Sequence, residues 1–132
     1  MADAKAMLAQ VPMTVAIDAS GIFQSYRSGV ISTTSGCGTS LNHAVTLVGY
    51  TEKGSVPPPP PGPVNCDVHK WWHSCSASGR LLADANGYEN YWKIQNSWGT
   101  GWGDAGFVLI EITDGTGVCG INSYMEYAKP IN

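Results

Sequence analysis

The sequence contains few charged residues and no excess of positive charge. Only 13% of its 132 residues are Asp, Glu, Lys or Arg, and the formal net charge is −3. Surfaces that bind nucleic acid or anionic membranes need clustered basic side chains. No apolar run approaches the ~20 residues that a membrane-spanning helix requires, and no signal-peptide pattern precedes Val11. We therefore expect neither a nucleic-acid partner nor a membrane partner.

Glycine is abundant where charge is scarce, with 16 glycines in the chain. This composition indicates strands and turns more than long surface helices. A chain of this length suits one domain with a sizeable core. We therefore expect residues 1–132 to form one mainly β domain, interrupted by a proline-rich, cysteine-containing insertion at 51–90.

Apolar periodicity and turn residues predict the local elements. The expected elements are an alanine-rich helix at 2–10, a short helix at 22–28, and strands at 11–19, 43–50, 91–95, 107–112 and 123–127. The pairs Asp114-Gly115 and Thr116-Gly117 predict a hairpin turn before Cys119.

Five ordered motifs carry a resemblance to a known family. They are VAIDA at 15–19, LNHAVTLVGY at 41–50, YWKIQNSWG at 91–99, GFV at 106–108 and CGI at 119–121. In this order they resemble the papain-like cysteine proteases, the cathepsin L and papain family. The resemblance covers most of residues 10–130 and implies the second domain of that fold, a small antiparallel β-barrel in an α+β family.

The resemblance implies a role for four residues of these motifs. The family's chemistry uses a thiolate, a histidine that takes and returns its proton, and an amide that orients the imidazole. By resemblance, His43 is that histidine and Asn96 that amide. Trp98 covers the bond between them, and Trp102 walls the leaving-group side of the cleft. No metal or other cofactor is implied.

No cysteine stands where the family's nucleophile would lie. That cysteine belongs near the mature amino terminus, roughly 130 to 150 residues before the histidine and asparagine, and His43 is too close to Met1 for this spacing. The resemblance therefore implies a partner, the helical N-terminal domain of the same protease, which carries the cysteine. The chain alone is expected to be inactive.

Four further residues are implied as the substrate pocket for the second residue before the scissile bond. Tyr124 would form its floor, Ala16 and Leu41 its walls, and Gln24 its rim. A tyrosine floor would shorten the pocket and favour medium aliphatic or hydroxyl-compatible side chains of a peptide or protein substrate over a large aromatic one. The alternative is that Tyr124 packs in the last strand and points elsewhere.

Asn42 departs from the commonest pattern of the family, in which Asp precedes the histidine. The change removes a charge next to His43, so the pH profile of any activity is the property most open to alteration.

The four cysteines form two pairs. By resemblance, Cys37 and Cys119 form a disulfide, which places the protein in an oxidising compartment, lysosomal, vacuolar or secreted. Cys66 and Cys75 lie in the insertion and could close a short loop as a second disulfide. Together with His69 and His73 they could instead form a zinc site, although their spacing matches no standard finger.

The insertion is the least family-like segment, since about 40 residues far exceed an ordinary connection. Pro57 to Pro61 with Pro63 predict a stiff polyproline stretch, and Trp71-Trp72 add apolar surface. One hypothesis is a protein-binding or regulatory arm, and the alternative is a flexible insert.

Two other functional classes fit the same sequence. One is a non-proteolytic homologue, such as the silicateins, in which the nucleophile is serine. The other is a binding module that forms a homo-oligomer through the surface that would otherwise meet the first domain.

Overall fold

A computed structural model describes residues 2–52 and 90–129 of the chain. It contains one short α-helix, α1 (Ala2–Leu8), and six strands. The strands are β1 (Met13–Ile17), β2 (Val30–Ile31), β3 (His43–Thr51), β4 (Tyr91–Gln95), β5 (Phe107–Glu111) and β6 (Met125–Tyr127). Short 3₁₀ helices lie at Gly21–Phe23, Thr33–Ser35 and Val118–Ser123. The expected mainly β fold is confirmed.

The six strands form a single sheet in the order β2-β5-β4-β3-β1-β6. All neighbouring pairs are antiparallel except β2 and β5, which run parallel. The central strand β3 pairs with β1 and with β4, and a register irregularity interrupts the second ladder between Leu47 and Gly49. Because β3 and β4 are antiparallel, the first residue of β3 and the last residues of β4 lie at the same end of this strand pair.

One face of the sheet carries the core. In β1 the buried residues Met13, Val15 and Ile17 alternate with more exposed ones, as expected for a strand with one buried face. Among the residues that the structure describes, Trp92 is the largest fully buried side chain, and Ile94 of the same strand β4 is also fully buried. Burial of these apolar side chains supplies the main driving force for the fold.

Several predicted boundaries differ from those of the structure. The helix predicted at 2–10 ends at Leu8, and the strands predicted at 11–19, 107–112 and 123–127 are Met13–Ile17, Phe107–Glu111 and Met125–Tyr127. The helix predicted at 22–28 is wrong, since only the 3₁₀ turn Gly21–Phe23 forms. Trp102 Nε1 donates to the Gln24 carbonyl oxygen at 3.1 Å, so the indole occupies a carbonyl that an α-helix would use.

The predicted hairpin before Cys119 is also wrong. β5 and β6 are not neighbours in the sheet, and the turn leads into the 3₁₀ helix Val118–Ser123. Strand β2 was not predicted, because two residues are too few to show a period.

The predicted disulfide between Cys37 and Cys119 is confirmed, with an S–S distance of 2.08 Å. The polyproline stretch, Trp71-Trp72, the Cys66–Cys75 pair and the alternative zinc set all lie outside the described residues. Within residues 2–52 and 90–129, no helix has the length and apolar character needed to cross a membrane.

Candidate active site

His43 and Asn96 meet where β3 begins and β4 ends. His43 is the first residue of β3, and Asn96 follows the last residue of β4. The Asn96 backbone N–H donates to the Gly106 carbonyl oxygen at 2.9 Å, which ties the end of β4 to the residue before β5. His43 Nε2 lies 2.8 Å from Asn96 Oδ1. The sheet therefore holds both backbones, and the two side chains bridge the gap between them.

The proton arrangement at this pair follows from a second contact of the same oxygen. The Ser97 backbone N–H can only donate, and it lies 2.8 Å from Asn96 Oδ1, so the side-chain atom facing it is the carbonyl oxygen. An amide oxygen only accepts, so His43 Nε2 carries the proton in the bond to Asn96. When the ring is neutral, Nδ1 then holds a lone pair. The pair thus selects one tautomer and directs its basic nitrogen away from Asn96.

Asn96 is buried, with 7% of its surface exposed, and its Nδ2 has no hydrogen-bond partner among the described residues. A buried amide nitrogen without a partner costs about 1–3 kcal/mol. Burial also keeps water away from the bond to His43, which strengthens it. An arrangement that sacrifices stability in order to hold one bond is typical of a functional site.

Trp98 covers the imidazole. The two rings are stacked, with centroids 4.9 Å apart and planes at 29°. Trp98 is 41% exposed. It also meets Trp102 edge-on at a centroid distance of 5.4 Å. The indole therefore shields one face of His43 and links it to a larger aromatic cluster.

Phe23 is the centre of that cluster, a role that the sequence analysis missed. It is fully buried and contacts His43, Trp98 and Trp102 at centroid distances of 6.5, 5.7 and 4.9 Å. Tyr26 completes the cluster against Trp102 at 5.9 Å. An apolar residue in a short turn is ordinarily read as core, and nothing in the sequence separates Phe23 from that reading.

The loop between β4 and β5 needs glycine at one point to bring Trp102 to this cluster. Gly103 has φ 60°, and a Cβ there would lie 2.7 Å from the Phe107 carbonyl oxygen and 3.2 Å from the Tyr26 ring. Any larger residue would displace the loop from Tyr26. Trp102 also bonds to the Gln24 carbonyl oxygen, so the loop and the turn after β1 are fixed to each other.

Of the four residues assigned to the substrate pocket, the structure brings Ala16 and Tyr124 into direct contact. The Ala16 N–H donates to the Tyr124 carbonyl oxygen at 3.2 Å. Leu41 is 41% exposed, and its Cδ2 would lie 2.9 Å from a Cβ built on Gly120. Gln24 instead lies beside Trp102, through its carbonyl oxygen.

Ala44 belongs to the same surface as Ala16 and was missed. It is exposed and directly opposite Ala16 in the β1–β3 ladder. Side chains alternate along a strand, so Ala44 and Ala16 project from the face opposite His43. This alternation in β3 was the signal available in the sequence.

Tyr124 does not pack into the core, since 49% of its surface is exposed. Its hydroxyl donates to Glu126 Oε2 at 2.8 Å. This hydrogen bond and the adjacent carboxylate charge raise the pKa of Tyr124 above its usual value. The hydroxyl is therefore neutral at physiological pH and already engaged with Glu126.

Comparison with known proteins assigns this arrangement to a family. A family model described as papain family cysteine protease matches residues 1–129. The chain belongs to the papain family of cysteine proteases. Ananain from Ananas comosus is 32% identical over 112 residues, a match that covers 83% of this chain and 23% of ananain. Vignain from Ricinus communis is 35% identical over 127 residues, covering 94% of this chain and 25% of vignain.

Solved structures of the papain family show the same fold. The bromelain protease from Ananas comosus, in an inhibitor complex, has a TM-score of 0.58 and 35% identity, covering 88% of this chain and 39% of that one. The Amb a 11 cysteine protease, a ragweed pollen allergen solved in its proform, has a TM-score of 0.61 and 26% identity, covering 92% and 27%. The chain spans about a quarter of the length of curated relatives such as ananain and vignain.

Proposed function

We propose that this chain supplies the histidine and asparagine of a papain-type cysteine endopeptidase, which hydrolyses peptide bonds through a thiol acyl-enzyme. The observation that carries the proposal is the bond from His43 Nε2 to Asn96 Oδ1. It leaves Nδ1 as the basic nitrogen, which takes a proton from a thiol and forms a thiolate–imidazolium pair. His43 and Asn96 are the catalytic residues, with Trp98 and Trp102 in support.

The nucleophile in this proposal comes from the N-terminal, cysteine-bearing domain of the same protease. Cys37 and Cys119 are joined to each other, so neither supplies a thiolate. The relatives are also several times longer than the part of them that this chain matches. Residues 1–132 then form one domain with its insertion at 51–90, and this domain is inactive alone.

In the acyl-enzyme step, the thiolate attacks the scissile carbonyl carbon and the bond to the leaving amine breaks. The imidazolium donates its proton to that amine. Asn96 keeps the ring in place throughout, because its oxygen holds the Nε2 proton in both charge states. In deacylation the neutral Nδ1 accepts a proton from water, which attacks the thioester, and returns it to the departing sulfur.

The substrate in this proposal is a peptide or protein whose second residue before the scissile bond binds near Ala16, Leu41 and Tyr124. Gln24, expected at the rim of this pocket, lies beside Trp102 instead. The engaged hydroxyl of Tyr124 supports a shortened pocket that favours medium aliphatic or hydroxyl-bearing side chains. A substrate-library profile of the complete enzyme dominated by Phe at that position would contradict this assignment.

The disulfide supports an oxidising compartment, lysosomal, vacuolar or secreted. Fractionation of cells that express the tagged full-length protein tests this part of the proposal, and a protein found only in the cytosol would contradict it.

The decisive experiment compares the full-length protein, this 132-residue chain and the variant His43→Ala. The full-length protein should cleave a peptide substrate and lose activity on treatment with a thiol alkylating reagent. The chain alone and His43→Ala should be inactive. Alkylation of the nucleophile at pH 6 should also slow in His43→Ala, since the imidazolium no longer stabilises the thiolate. Activity that survives thiol blocking would contradict a cysteine nucleophile.

A second candidate is self-association, which the exposed apolar side chains favour. Leu41, Trp98 and Tyr124 are 41%, 41% and 49% exposed, and apolar surface of this kind promotes association. The isolated chain should form a homo-oligomer with increasing concentration in sedimentation experiments. A monomer at every concentration would contradict it.

A further inference from the structure

Asp18 lies at the centre of a polar cluster near His43 that takes no direct part in the proposed reaction. It directly follows β1 and is buried, with 4% of its surface exposed. Its Oδ1 accepts from the Ser20 backbone N–H at 3.0 Å and from the Ser20 hydroxyl. Its Oδ2 accepts from the Ser40 backbone N–H at 3.0 Å. The carboxylate therefore joins the turn after β1 to a segment 22 residues downstream.

The segment held in this way is the one that leads into His43. A Cβ built on Gly38 would lie 2.3 Å from Asp18 Oδ2, so the chain passes directly against the carboxylate, which a larger residue at position 38 would displace. Cys37 Sγ lies 3.6 Å from the Asp18 carbonyl oxygen, and the Asp18 N–H donates to the Cys119 carbonyl oxygen at 2.8 Å. Asp18 thus contacts both halves of the disulfide as well as the segment.

Asn42 connects this cluster to the catalytic histidine. Its backbone N–H donates to the Ile17 carbonyl oxygen at 3.0 Å, and its Oδ1 accepts from the Ala19 N–H at 2.9 Å. Its Nδ2 lies 3.5 Å from Asp18 Oδ1. Asn42, which immediately precedes His43, is therefore hydrogen-bonded to the residues on both sides of Asp18.

We propose that Asp18 is a positioning residue for the reaction: through Ser40, Gly38 and Asn42, its carboxylate fixes the backbone from which His43 reaches Asn96. This inference rests on the proposed function for its catalytic consequence, but its structural part concerns His43 alone. The hydrogen bonds, that of the Ser20 hydroxyl first, lower the pKa of Asp18 and keep the carboxylate charged at neutral pH. A charged acceptor forms stronger hydrogen bonds than a neutral one.

The variant Asp18→Asn tests the role with almost no change of shape. If the new amide keeps its oxygen towards Ser20 and Asn42, its NH₂ group faces the Ser40 N–H and the Gly38 backbone. The NH₂ group and the Ser40 N–H are both donors, so the hydrogen bond to Ser40 is lost. The segment 38–42 must then move. A shift of about 1 Å at a catalytic group can lower a rate by about 100-fold, so in the full-length protease kcat should fall by about 10- to 100-fold. KM should change less than kcat, because Leu41 is the only one of the proposed pocket residues that lies in the displaced segment.

The matched control is Asp114→Asn, the same chemical change at an exposed carboxylate after β5, which should keep the wild-type kcat. Asp18→Glu retains the charge and should recover part of the activity. A purely structural role would lower the melting temperature of Asp18→Asn without changing kcat of the folded fraction, counted by titration with an irreversible thiol inhibitor.

A second readout does not depend on catalysis. Nitrogen NMR of the His43 imidazole, assigned with His43→Gln, should show the proton on Nε2 in wild type and in Asp114→Asn. Asp18→Asn should show a mixture of tautomers. If full-length wild type proves inactive, the proposed function fails and this readout alone decides the role of Asp18.

The inference is overturned if Asp18→Asn matches Asp114→Asn in kcat and in the His43 tautomer. Should Asp18→Asn fail to fold, Asn42→Ala replaces it, because it removes the side-chain contacts to Asp18 and Ala19 and leaves the carboxylate in place. It should lower kcat by about 3- to 10-fold, within the range that misplaced catalytic groups produce. An unchanged kcat and tautomer in Asn42→Ala would then overturn the inference.

Discussion

One oxygen atom, Asn96 Oδ1, determines the chemistry available to His43. It accepts from both the Ser97 N–H and His43 Nε2, each at 2.8 Å. Two donors on one oxygen leave the amide only one orientation, and that orientation selects the tautomer of the ring. An Asp at position 96 would accept the same bonds but bring a negative charge, whereas Asn fixes the ring without adding charge.

Removing this oxygen should therefore damage catalysis more than it damages folding. If this chain supplies the histidine and asparagine of a complete protease, as proposed, Asn96→Ala should lower kcat/KM of that protease by about 10- to 100-fold, because the imidazole loses its fixed tautomer and orientation. Stability should change little, since the variant also removes the buried Nδ2, which has no partner among the described residues. Steady-state kinetics and thermal unfolding measure the two effects.

Gln95→Ala is the control for this prediction, because it removes an exposed amide from the last residue of β4, immediately before Asn96. It should leave both quantities near wild type. Equal losses of kcat/KM in the two variants would show that the effect comes from the strand and not from the Asn96 oxygen.

Lys93 is a second polar residue whose environment has a measurable consequence. It is buried in β4, with its Nζ 4.6 Å from the Phe107 ring centroid. Burial lowers its pKa to about 8, and the Asp104 carboxylate partly opposes this shift. The usual lysine pKa is 10.5. Between these two values the unfolded chain binds more protons than the folded one, so this residue makes stability rise with pH from about 8 to 10.5.

Replacing Lys93 with Met should remove that pH dependence and raise stability at pH 7 by about 1 kcal/mol, because an apolar side chain of similar length fills the same buried volume. Urea unfolding of both proteins at several pH values between 7 and 10.5 measures the difference. The other titrating groups are the same in both proteins. If the free energy of unfolding changed with pH in the same way in wild type and in Lys93→Met, the prediction would be contradicted.

The comparison of sequence with structure shows which elements are predictable. Both ends of strand β4 were predicted correctly, because a five-residue segment rich in apolar side chains ends at a recognisable Asn-Ser-Trp-Gly motif. The helix predicted at 22–28 is wrong: only the 3₁₀ turn Gly21–Phe23 forms, and the Gln24 carbonyl oxygen accepts from Trp102, a residue 78 positions away in the sequence. Local propensity carries no information on such a contact.

The same distinction applies to the candidate site. His43, Asn96 and Trp98 stand in motifs that the sequence makes visible, and the structure brings them into contact. Phe23 stands outside the five motifs, and Asp18 belongs to VAIDA at 15–19, a motif that predicts a strand but gives the carboxylate no role. Their importance depends on tertiary contacts, with Trp102 and with Ser40 respectively.

Trp102 joins the loop between β4 and β5 to the turn after β1. Trp102→Phe keeps an aromatic ring against Phe23 but loses the hydrogen bond to the Gln24 carbonyl oxygen. It should destabilise the protein by about 1 kcal/mol. Urea unfolding followed by circular dichroism measures this value.

Trp98→Phe is the matched comparison for Trp102→Phe. Trp98 is 41% exposed, and its ring stacks on His43. Trp98→Phe should cost less stability than Trp102→Phe, and it should alter the pH profile of kcat/KM because the bond between His43 and Asn96 loses its cover. The reverse order of stabilities would mean that the Gln24 contact does not join the two segments.

The largest covalent constraint on the described fold is the disulfide, which links the segment before β3 to the 3₁₀ helix before β6. Cys37 and Cys119 are separated by 82 residues. Closing a loop of this length removes much of the entropy of the unfolded chain. The chain-entropy relation gives a stabilisation of about 4 to 5 kcal/mol, a large share of the total for one domain.

The double variant Cys37→Ser/Cys119→Ser should therefore unfold at a much lower urea concentration than wild type, with a loss of about 4 to 5 kcal/mol. Refolding and unfolding under strictly non-reducing conditions measure it, and wild type treated with a reductant should give the same midpoint. The m-value should rise, because the unfolded chain becomes less compact. A midpoint unchanged in the double variant would mean that the contacts of Asp18 with residues 37–42 and 119 hold these segments together without the covalent bond.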